Sequence, residues 1–532
     1  MEIIRIGAGS TEPPSAEIVG AKAANLARIA ALGLPVPPAF ALPIELCASM
    51  VRGDGDAKAK LADGLTKGIA FLESATGKVF GDRRRPLLVS VRSGAARSMP
   101  GMLDTVLNVG CTTTAVRGLV RMTGDPRFAF DCRRRFLESY GSVVFDVKPA
   151  AFAARLNTLI AAERVPSEHT LDSEALERLC LQYQEAIEDE DSTLADDAMQ
   201  QLNSAAEAVY RSWMSDRARS YRKLEHLDYL QGTAVTVQSM VFGNSGSSSG
   251  AGVAFSRDPS TGSTEPVIDI LFRSQGEDVV SGRHNPETEE AIARIFPEIA
   301  SQLRGALKGL EQDFRDIQDV EFTIENGKLW FLQTRAAKRT PDAAVRFAID
   351  LVKEGKITPA QALQRLKDVD LRLLAHKRLI NAGPIAARGI GASAGIAIGR
   401  AAFDAPSATR MAGNQEPVIF VRPDTNTADV AGFAVSAGIL TAVGGRTAHA
   451  ALVARQLAKP CIVGCKELAI DEAHRGAQLG GIAVREGDWL SIDGSAGTIH
   501  FGRGSIVTER PEAELAEIER WRAQTSAPAA GA

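Results

Sequence analysis

The chain is poor in aromatic residues and in cysteine, carries no marked excess of charge and contains no long apolar run. Aromatic residues make up 5% of its 532 residues, which argues against a platform for stacking nucleic-acid bases. The 61 Lys and Arg residues nearly balance the 65 Asp and Glu residues, which argues against a polyanion-binding surface. No segment approaches the roughly 18 apolar residues that a membrane-spanning helix needs. We therefore expect neither a nucleic acid nor a membrane as a partner.

Six cysteines in a chain of this length are too few and too scattered for a disulfide framework. Only Cys461 and Cys465 are close in sequence, and no histidine pair lies beside them at zinc-binding spacing. The N-terminal segment MEIIRIGAGST has neither the basic flank nor the apolar stretch of a secretory signal. The sequence therefore predicts free thiols in a cytoplasmic protein.

Hydrophobic residues make up 45% of the chain and charged residues 24%, which is typical of several folded domains. We predict a multidomain α/β and α+β fold. Short strands and loops are expected over residues 1 to about 110, helices over about 112–230, and strands from there to 335. Helices are expected again over 341–388, followed by a small α/β unit over 389–505. Residues 506–532 are predicted to be a charged helix and a frayed tail.

One histidine differs from the other six by its position. His449 lies in AGILTAVGGRTAHAALVARQLAKPCIVGC, residues 437–465, where Gly444 and Gly445 form a turn between a strand and a helix. Thr447 is placed to cap that helix, which puts His449 in its first turn. There the helix dipole favours a neutral imidazole, and the unpaired N–H groups can receive an anion. The local chemistry leaves one alternative open, in which His449 has only a structural role and packs against neighbouring side chains.

The pattern GG-x-T-x-H-A-A-x-x-A-R followed by K-P-C resembles the swivelling phosphohistidine domain of the pyruvate phosphate dikinase and phosphoenolpyruvate synthase superfamily. EGDWLSIDGSAGTIHFG, residues 486–502, resembles the end of that domain. The resemblance implies that His449 is the catalytic residue that carries the phosphoryl group. Arg446 and Ala448 depart from the Met and Ser that are usual in the dikinase. In some family members the threonine at the Thr447 position is a regulatory phosphorylation site, so Thr447 is a candidate regulatory residue.

The sequence has no Walker A pattern, so phosphate-binding groups must lie elsewhere. In VGAKAANLARIAALGLPVPPAF, Gly20 and Lys22 stand at the start of a helix, where a bound anion would offset the unfavourable lysine. A solvated lysine is the alternative. In LLVSVRSGAARSMPGMLDTVLN, a strand delivers Arg92 into a loop of small residues. Arginine suits bidentate phosphate contacts, and Gly101 permits close approach of the backbone.

The segment DVEFTIENGKLWFLQTR, residues 319–335, is predicted to be a hairpin that turns at Asn326-Gly327. A two-residue loop would put Glu321 and Gln333 on opposite faces, so we predict a three-residue loop over 325–327. That register gathers a polar face, Asp319, Glu321, Gln333 and Arg335, and an apolar face, Val320, Phe322, Ile324, Trp330 and Leu332. The polar face suits Mg²⁺ and polyphosphate. A surface salt-bridge cluster is the alternative.

Together the three segments resemble the ATP-grasp nucleotide domain of pyruvate phosphate dikinase, and VRSGAAxSMPGMxDTVLN is the dikinase form of its loop. The resemblance implies an ATP-grasp domain over 1–340, a helical connector over 341–388 and the phosphohistidine domain over 389–505. It implies that Lys22, Arg92 and Arg335 hold phosphates and that Glu321 and Gln333 bind magnesium, with Asp319 and Glu277 nearby. It implies that Gln238, Met240 and Val241 border the adenine. The Gly/Ser loop over 243–252 is either a mobile lid or a plain hairpin connection.

The implied function is an ATP-dependent phosphotransferase that uses ATP, Mg²⁺ and inorganic phosphate to form AMP, pyrophosphate and phosphohistidine. The resemblance covers about residues 1–505 and stops where the dikinase begins its barrel domain for pyruvate and phosphoenolpyruvate. We therefore expect a monomer, with pyruvate on a separate barrel protein, or another molecule, as the final acceptor. The alternatives are a phosphotransferase of the phosphoenolpyruvate synthase or rifampin phosphotransferase type, and a non-catalytic phosphocarrier or regulatory protein.

Overall fold

The structure is a computed structural model of the chain. It describes residues 2–7, 13–97, 99, 102–188, 193–281, 285–371, 374, 376–424, 429–446, 448–471 and 475–526. The chain divides into two compact units, the first comprising Met1–Val241 with Trp330–Thr334 and the second Phe242–Leu329 with Arg335–Ala532. Both units combine helices with β-sheets, so the predicted mixed α/β multidomain architecture is observed. The domain bounds proposed from sequence stay predictions.

The first unit contains a five-stranded sheet and a separate two-stranded pair. Its strands are β1 (Ile4–Ile6), β2 (Ala39–Leu42), β3 (Val79–Phe80), β4 (Pro86–Leu87), β5 (Val89–Gly94), β6 (Thr105–Val109) and β7 (Ala234–Ser239). The larger sheet has the order β1-β2-β7-β5-β6. All six residues of β7 are buried, including the polar Thr236, Gln238 and Ser239, so both faces of this inner strand are covered.

Helices make up most of the first unit between its two last strands. The helices of this unit are α1 (Ala16–Ala31), α2 (Leu46–Val51), α3 (Gly55–Thr76), α4 (Thr113–Thr123), α5 (Pro126–Val144), α6 (Pro149–Glu163), α7 (Ser173–Glu188), α8 (Ala198–Ser212) and α9 (Asp216–Leu224). Side-chain caps begin several of them, among them Thr112, Asp125 and Asp197, each of which accepts a hydrogen bond from a backbone N–H three residues later. The helical stretch predicted over about 112–230 is therefore confirmed.

The second unit begins with a four-stranded sheet, in the order β11-β10-β8-β9, and three helices. These elements are β8 (Gly250–Phe255), β9 (Val267–Phe272), α10 (Gly276–Ser281), α11 (Glu289–Ile295), α12 (Pro297–Phe314), β10 (Gln318–Glu325) and β11 (Lys328–Ala336). Trp330–Thr334 of β11 count with the first unit. One face of β10 carries the buried Val320, Phe322 and Ile324, and α12 packs against this strand. The other face is polar and is described below.

Among the described residues, the remainder of the second unit holds six further helices, a two-stranded ribbon, an eight-stranded sheet and a three-stranded sheet. Its strands are β12 (His376–Ile380), β13 (Ile385–Arg388), β14 (Ile390–Ser393), β15 (Ile396–Ala402), β16 (Val418–Arg422), β17 (Gly438–Thr441), β18 (Cys461–Val463), β19 (Leu468–Asp471), β20 (Gly476–Leu479), β21 (Ile482–Arg485), β22 (Trp489–Asp493), β23 (Thr498–Phe501) and β24 (Ser505–Glu509). Its helices are α13 (Pro341–Lys353), α14 (Pro359–Arg365), α15 (Ala405–Gly413), α16 (Val430–Val435), α17 (His449–Gln456) and α18 (Glu512–Ser526).

The eight-stranded sheet has the order β13-β23-β22-β15-β16-β17-β18-β14, and β19, β20 and β21 form a separate sheet. The parallel pairs β15–β16, β16–β17 and β17–β18 alternate with helices, as the sequence predicts for this segment. Ile518 and Trp521 of α18 are buried in one cluster with side chains of α13, including Val345 and Phe347. The C-terminal helix therefore packs on the helices that precede the eight-stranded sheet.

Two segments differ from the sequence prediction. Part of the predicted helical connector, 376–380 and 385–388, is extended, and the predicted C-terminal helix starts only at Glu512. β24 occupies the preceding residues because Ile506 and Val507 are β-branched and pair with β12. The tail predicted to be frayed, 527–532, lies outside the described residues. In the described ranges, no helix is both long enough and apolar enough to cross a bilayer.

The hairpin turn also differs from the prediction. β10 ends at Glu325 and β11 begins at Lys328, so the loop has two residues rather than three. Both loop residues, Asn326 and Gly327, have positive φ, 49° and 74°, which is the conformation that an Asn-Gly hairpin turn favours. The backbone preference of this dipeptide therefore outweighs the segregation of polar and apolar side chains on which the prediction relied.

The burial of β11 follows from the shorter turn. Its buried apolar residues are Leu329 and Phe331, whereas Trp330 and Leu332, which were assigned to the apolar face, are half-buried. The predicted apolar face is therefore wrong for β11 and correct for β10. Within the first unit, the backbone N–H of Phe331 donates to Pro35 O at 2.8 Å.

The Gly/Ser segment after β7 is not a hairpin connection, because β7 and β8 belong to different sheets. The hydroxyl of Ser249 lies 3.0 Å from that of Ser245 and accepts a hydrogen bond from Asn326 N at 3.0 Å. The carbonyl of Ser248 accepts a bond from Gly327 N at 2.9 Å. The segment is therefore hydrogen-bonded to the hairpin turn, and its role as a lid stays a prediction.

Candidate functional site

Lys22 follows a sharp interruption of the first helix. Gly20, inside α1, has φ 80° and ψ 157°, so a new helical segment starts directly before Lys22. A Cβ on Gly20 would lie 2.0 Å from Gly94 O, and Ala21 N donates to Ala95 O at 2.9 Å. The start of this segment is therefore held against the end of β5, and the predicted position of Lys22 at a helix start is observed.

Arg92 lies on β5, opposite Thr236 of β7 on one side and Thr105 of β6 on the other. Its side chain is half-buried and makes no hydrogen bond or ion pair with any residue that the structure describes. A half-buried guanidinium without a protein partner is suited to an anion. Gly101, the other predicted member of this segment, lies outside the described residues.

The residues predicted to border adenine follow β7. Gln238 is buried and donates from Nε2 to Pro37 O at 3.3 Å, and the backbone N–H of Met240 donates to Leu88 O at 2.9 Å. Val241 is also buried. Gln333, predicted to bind magnesium, is buried in the part of β11 that counts with the first unit. In the same unit, Asn25 Nδ2 donates a hydrogen bond to the backbone carbonyl of Thr334, the residue after Gln333, at 2.9 Å.

Asp319 and Arg335 form a buried ion pair in the second unit. Arg335 Nε lies 2.8 Å from Asp319 Oδ2, and Asp319 is only 4% exposed. Its other oxygen, Oδ1, has no hydrogen-bond partner among the described residues. Burial raises the pKa of the Asp319 carboxyl, and the positive charge of Arg335 opposes this rise without cancelling it. A buried carboxylate oxygen without a donor is suited to a cation.

The strand register places Asp269 on the same face as the predicted metal-binding carboxylates. Glu321 of β10 lies opposite Val253 of β8, and Val253 lies opposite Asp269 of β9. Directly opposed residues of antiparallel strands share a face, as do residues two apart in one strand, such as Asp319 and Glu321. Asp269 therefore lies two strands, or about 10 Å, from Glu321. Glu277, predicted to lie nearby, is exposed in the first turn of α10, which packs on β10.

Asp269 binds the loop that leads to His449. Its Oδ2 accepts a hydrogen bond from Arg446 N at 2.7 Å, and Asn285 Oδ1 accepts one from Gly444 N at 3.1 Å. A Cβ on Gly445 would lie 2.7 Å from the same Asp269 oxygen. The two glycines of the motif are thus explained, Gly444 by its φ of 119° and Gly445 by this close approach.

His449 is the first residue of α17 and therefore lies in its first turn, as predicted, but the cap of this helix differs from the prediction. Ala448 occupies the N-cap position and offers no side-chain hydrogen bond, so the predicted capping role of Thr447 is wrong. Thr447 itself and the side chain of His449 lie outside the described residues. The helix begins one residue later than expected because Ala448 N already bonds to Gly445 O in the preceding turn, at 3.1 Å.

Sequence reasoning missed Asp269, Asn285 and the buried Arg455. Asp269 had a signal, because it is the single charged residue in the apolar run PVIDILF. Arg455 belongs to the motif around His449, yet nothing in its spacing indicates that it is buried. Asn285 has no signal in the sequence, since its partner, Gly444, lies 159 residues away.

No cluster of three or more His, Cys, Asp or Glu side chains suited to a metal occurs among the residues described. This fits Mg²⁺ bound with a nucleotide, since that ion keeps several waters and takes only one or two carboxylates, with phosphate oxygens as further ligands. The unpartnered Asp319 Oδ1 and the carboxylate of Glu321 on the same face supply such oxygens. The residues present therefore fit the ion.

Family models match most of the chain. The model of the pyruvate phosphate dikinase AMP/ATP-binding domain matches residues 56–294 and 287–356, together more than half of the chain. The chain belongs to the pyruvate phosphate dikinase family. The model of the mobile domain of PEP-utilising enzymes matches residues 414–497 of this dikinase-family chain, including the helix that begins at His449.

Curated relatives in the family include a pyruvate, phosphate dikinase of Clostridium symbiosum, 41% identical over 500 residues, which cover 92% of this chain and 57% of the relative. Pyruvate, phosphate dikinase 2 of Zea mays is 39% identical over 510 residues, covering 95% and 58%. A pyruvate, phosphate dikinase of Rickettsia felis is 39% identical over 516 residues, covering 96% and 59%. The chain therefore spans somewhat more than half the length of these relatives.

Proposed function

We propose that this chain carries out the nucleotide half-reaction of a dikinase. A ring nitrogen of His449 attacks the β-phosphorus of ATP, the bond from that phosphorus to the oxygen bridging to the α-phosphate breaks, and AMP leaves. Inorganic phosphate then attacks the terminal phosphorus of the pyrophosphorylated histidine. Pyrophosphate leaves, and phosphohistidine remains. Family membership supports the proposal, because relatives bearing the dikinase name match 92% or more of this chain.

The observation that carries the proposal is the hydrogen bond from Arg446 N to Asp269. Asp269 shares one sheet face with Asp319 and Glu321, and Arg446 stands three residues before His449. The motif that resembles a phosphohistidine site is thus attached to the face that carries the acidic residues proposed for the nucleotide's metal. Proximity of this kind is the main contribution that a protein makes to phosphoryl transfer.

The remaining roles are assigned by resemblance and by local chemistry. In an ATP-grasp arrangement, Lys22, Arg92 and Arg335 hold the phosphates and neutralise charge as it moves in the transition state. By resemblance, Glu321 and Gln333 are the proposed Mg²⁺ ligands, with Asp319 and Glu277 as further candidates. The two-residue turn removes the register argument that put Gln333 on the face of Glu321, so Gln333 is assigned by resemblance alone. The segment from Gln238 to Val241, which is buried except for the half-buried Met240, borders the adenine. When bound, Mg²⁺ withdraws charge from the phosphate oxygens.

The start of α17 suits a histidine that accepts a phosphoryl group. The positive end of the helix favours the neutral imidazole, whose free nitrogen is the nucleophile. The unpaired N–H groups of the first turn then stabilise the anion on the ring. His449→Asn removes the nucleophile and keeps a polar side chain of similar size.

The test is incubation with ATP labelled at the β-phosphate, Mg²⁺ and inorganic phosphate. Wild type is expected to take up acid-labile label and to release AMP, and His449→Asn is expected to take up none. His500→Asn is the matched control, because His500 lies in the same domain and bonds to Gly383 O at 3.0 Å. An unlabelled wild type, or equal label in His449→Asn, would contradict the proposal.

The same assay separates the family types and tests the acceptor. A dikinase transfers the terminal phosphoryl group to inorganic phosphate and releases pyrophosphate, whereas a synthase-type enzyme transfers it to water and releases phosphate. We propose pyruvate on a separate barrel protein, or another molecule, as acceptor. Phosphoenolpyruvate formed from pyruvate by this chain alone would contradict the separate acceptor.

A further inference from the structure

Arg455 is a buried arginine six residues after His449 in the same helix, and the roles assigned so far do not involve it. Its side chain is 2% exposed. Nη1 donates to Ala392 O and Nη2 to Arg446 O, both at 2.7 Å. The two carbonyls belong to separate segments, the strand β14 and the loop before His449. One planar guanidinium therefore ties this loop to the eight-stranded sheet.

The same loop is braced by further contacts that converge on β14. Arg446 Nε donates to Gly391 O at 3.1 Å. The hydroxyl of Ser260 donates to Ala392 O at 2.8 Å, so this carbonyl is shared with Arg455. The carbonyl of Arg446 faces Arg455 and its N–H faces Asp269. The backbone N–H and C=O groups of Arg446, three positions before His449, are therefore both hydrogen-bonded.

The charge of Arg455 lacks a direct partner. No carboxylate of the described residues forms an ion pair with it, and its Nε has no hydrogen-bond partner. The carboxylates that act on it from a distance include Asp319, Asp258 and Asp269, and the ring of Phe255 lies 5.5 Å away. Burying a guanidinium without an ion pair is costly. An apolar side chain at this position would avoid the free-energy cost of burying the charge, so stability alone does not account for an arginine here.

We propose that Arg455 is a positioning residue for phosphoryl transfer, which holds residues 444–446 of the segment before His449 so that this histidine meets the phosphorus in line. The inference rests on the proposed function. Lysine cannot replace it, because an ammonium group lacks the planar fork that reaches two carbonyls at once. A reacting group displaced by about 1 Å loses roughly 100-fold in rate.

The test measures single-turnover phosphohistidine formation as a function of ATP concentration in Arg455→Lys and Arg455→Gln. We expect the rate constant of transfer to fall by about 100-fold, with the ATP concentration at half-saturation unchanged, since Arg455 is not a proposed nucleotide ligand. Arg422→Lys is the matched control. Arg422 also donates to a main-chain carbonyl, Phe403 O, at 2.8 Å in the same domain, and its substitution is expected to leave the rate constant unchanged.

Each outcome decides the inference. Wild-type rates in both Arg455 variants overturn it, and so does an equal fall in the Arg422 control. Failure of both Arg455 variants to fold, judged by urea unfolding, also overturns it in favour of a structural role. A wild type that takes up no label contradicts the proposed function instead, so the two failures are distinguishable.

Discussion

Asp131 in helix α5 forms ion pairs with two buried arginines, Arg134 and Arg135, which follow it by three and four residues. It is 6% exposed, accepts hydrogen bonds from Arg134 and Arg135, and both guanidiniums are equally buried. Burial alone would raise its pKa, but Arg135 and Arg134 together hold the pKa of this carboxyl far below its usual range. A group with a depressed folded-state pKa stabilises the fold above its unfolded pKa, and this contribution is lost on acidification.

We expect Asp131→Asn to lower the free energy of unfolding at pH 7 by about 3–5 kcal/mol, because two buried guanidiniums lose the carboxylate that they share. The difference from wild type should shrink as the pH falls below about 4, where the unfolded-state carboxyl takes up its proton. Urea unfolding at a series of pH values measures both effects. Glu138→Gln is the control, since Glu138 also pairs with Arg134 but is 42% exposed. A difference that stays constant down to pH 3 would show that the effect is not electrostatic.

Residue types at fixed spacing were predictable, and contacts across long sequence separations were not. Lys22, Arg92 and His449 stand at the helix start, strand and helix start that their local patterns predict. Asp269 and Asn285 accept hydrogen bonds from the main-chain N–H groups of Arg446 and Gly444, respectively, more than 150 residues away. Such bonds depend on how two separately folded segments pack, and no local pattern encodes that. The sequence therefore yields candidate residues but not the partners that hold them.

At the scale of secondary-structure elements, α1 is divided by Gly20 and the division brings Lys22 to β5. The φ and ψ of Gly20 fall in a region that only glycine occupies easily. A side chain there would also collide with the backbone of Gly94, because the nearest oxygen would be 2.0 Å away. Backbone strain and a steric clash thus act at the same position.

We expect Gly20→Ala to lower the free energy of unfolding by about 2–3 kcal/mol from strain and collision and to weaken stabilisation by MgATP, because the backbone before Lys22 must shift. Gly33→Ala is the control, since Gly33 also has a positive φ, 76°, but has nothing within 4 Å of an added Cβ. It should cost about 1 kcal/mol and leave the MgATP effect intact. Thermal melts with and without MgATP measure both. Equal losses in the two variants would contradict the role of the Gly20–Gly94 approach.

The hairpin of β10 and β11 was only partly predictable from the sequence pattern. Its existence and its position at Asn326-Gly327 were predictable from the turn dipeptide. Its loop length was not, because the prediction gave more weight to the alternation of polar and apolar residues than to backbone conformation. β24 was missed for a different reason: the strand that it pairs with, β12, lies more than a hundred residues earlier in the chain.

At the scale of the whole molecule, all six cysteines are buried and unpaired. They are spread over both units: Cys47, Cys111, Cys132, Cys180, Cys461 and Cys465. Burial raises the pKa of Cys111 and of Cys461 to about 12, and that of Cys465 to about 11. The thiolate is the reactive form, so these thiols are protected in the folded chain.

We expect Ellman's reagent at pH 8 to react with none of the six thiols in the native protein and with six in guanidinium chloride. Burial keeps the reagent away from the thiols, and it also keeps the thiols protonated, whereas the thiolate is the form that reacts. The rate at which the thiols become reactive then reports the unfolding of either unit. Rapid reaction of one thiol in the native protein would contradict the burial of that residue.

The composition of the chain was a sound guide to architecture at this scale, since it predicted several mixed domains and the structure has two compact units that each combine helices and sheets. It could not predict where the units divide. The boundary at Val241 and Phe242 falls inside the predicted nucleotide domain, directly before the Gly/Ser segment 243–252, which was interpreted as a lid or a hairpin connection and not as a boundary. Boundaries of this kind depend on which strands share a sheet, which composition does not determine.

The strands that bracket residues 381–504 are hydrogen-bonded to each other along five residue pairs, from His376 with Glu509 to Ile380 with Ser505. Separating the two strands requires these pairs to be broken, so the chain enters and leaves the intervening segment at one ribbon. The two ends of that segment are therefore held side by side, and neither end can move away from the other while the ribbon is intact.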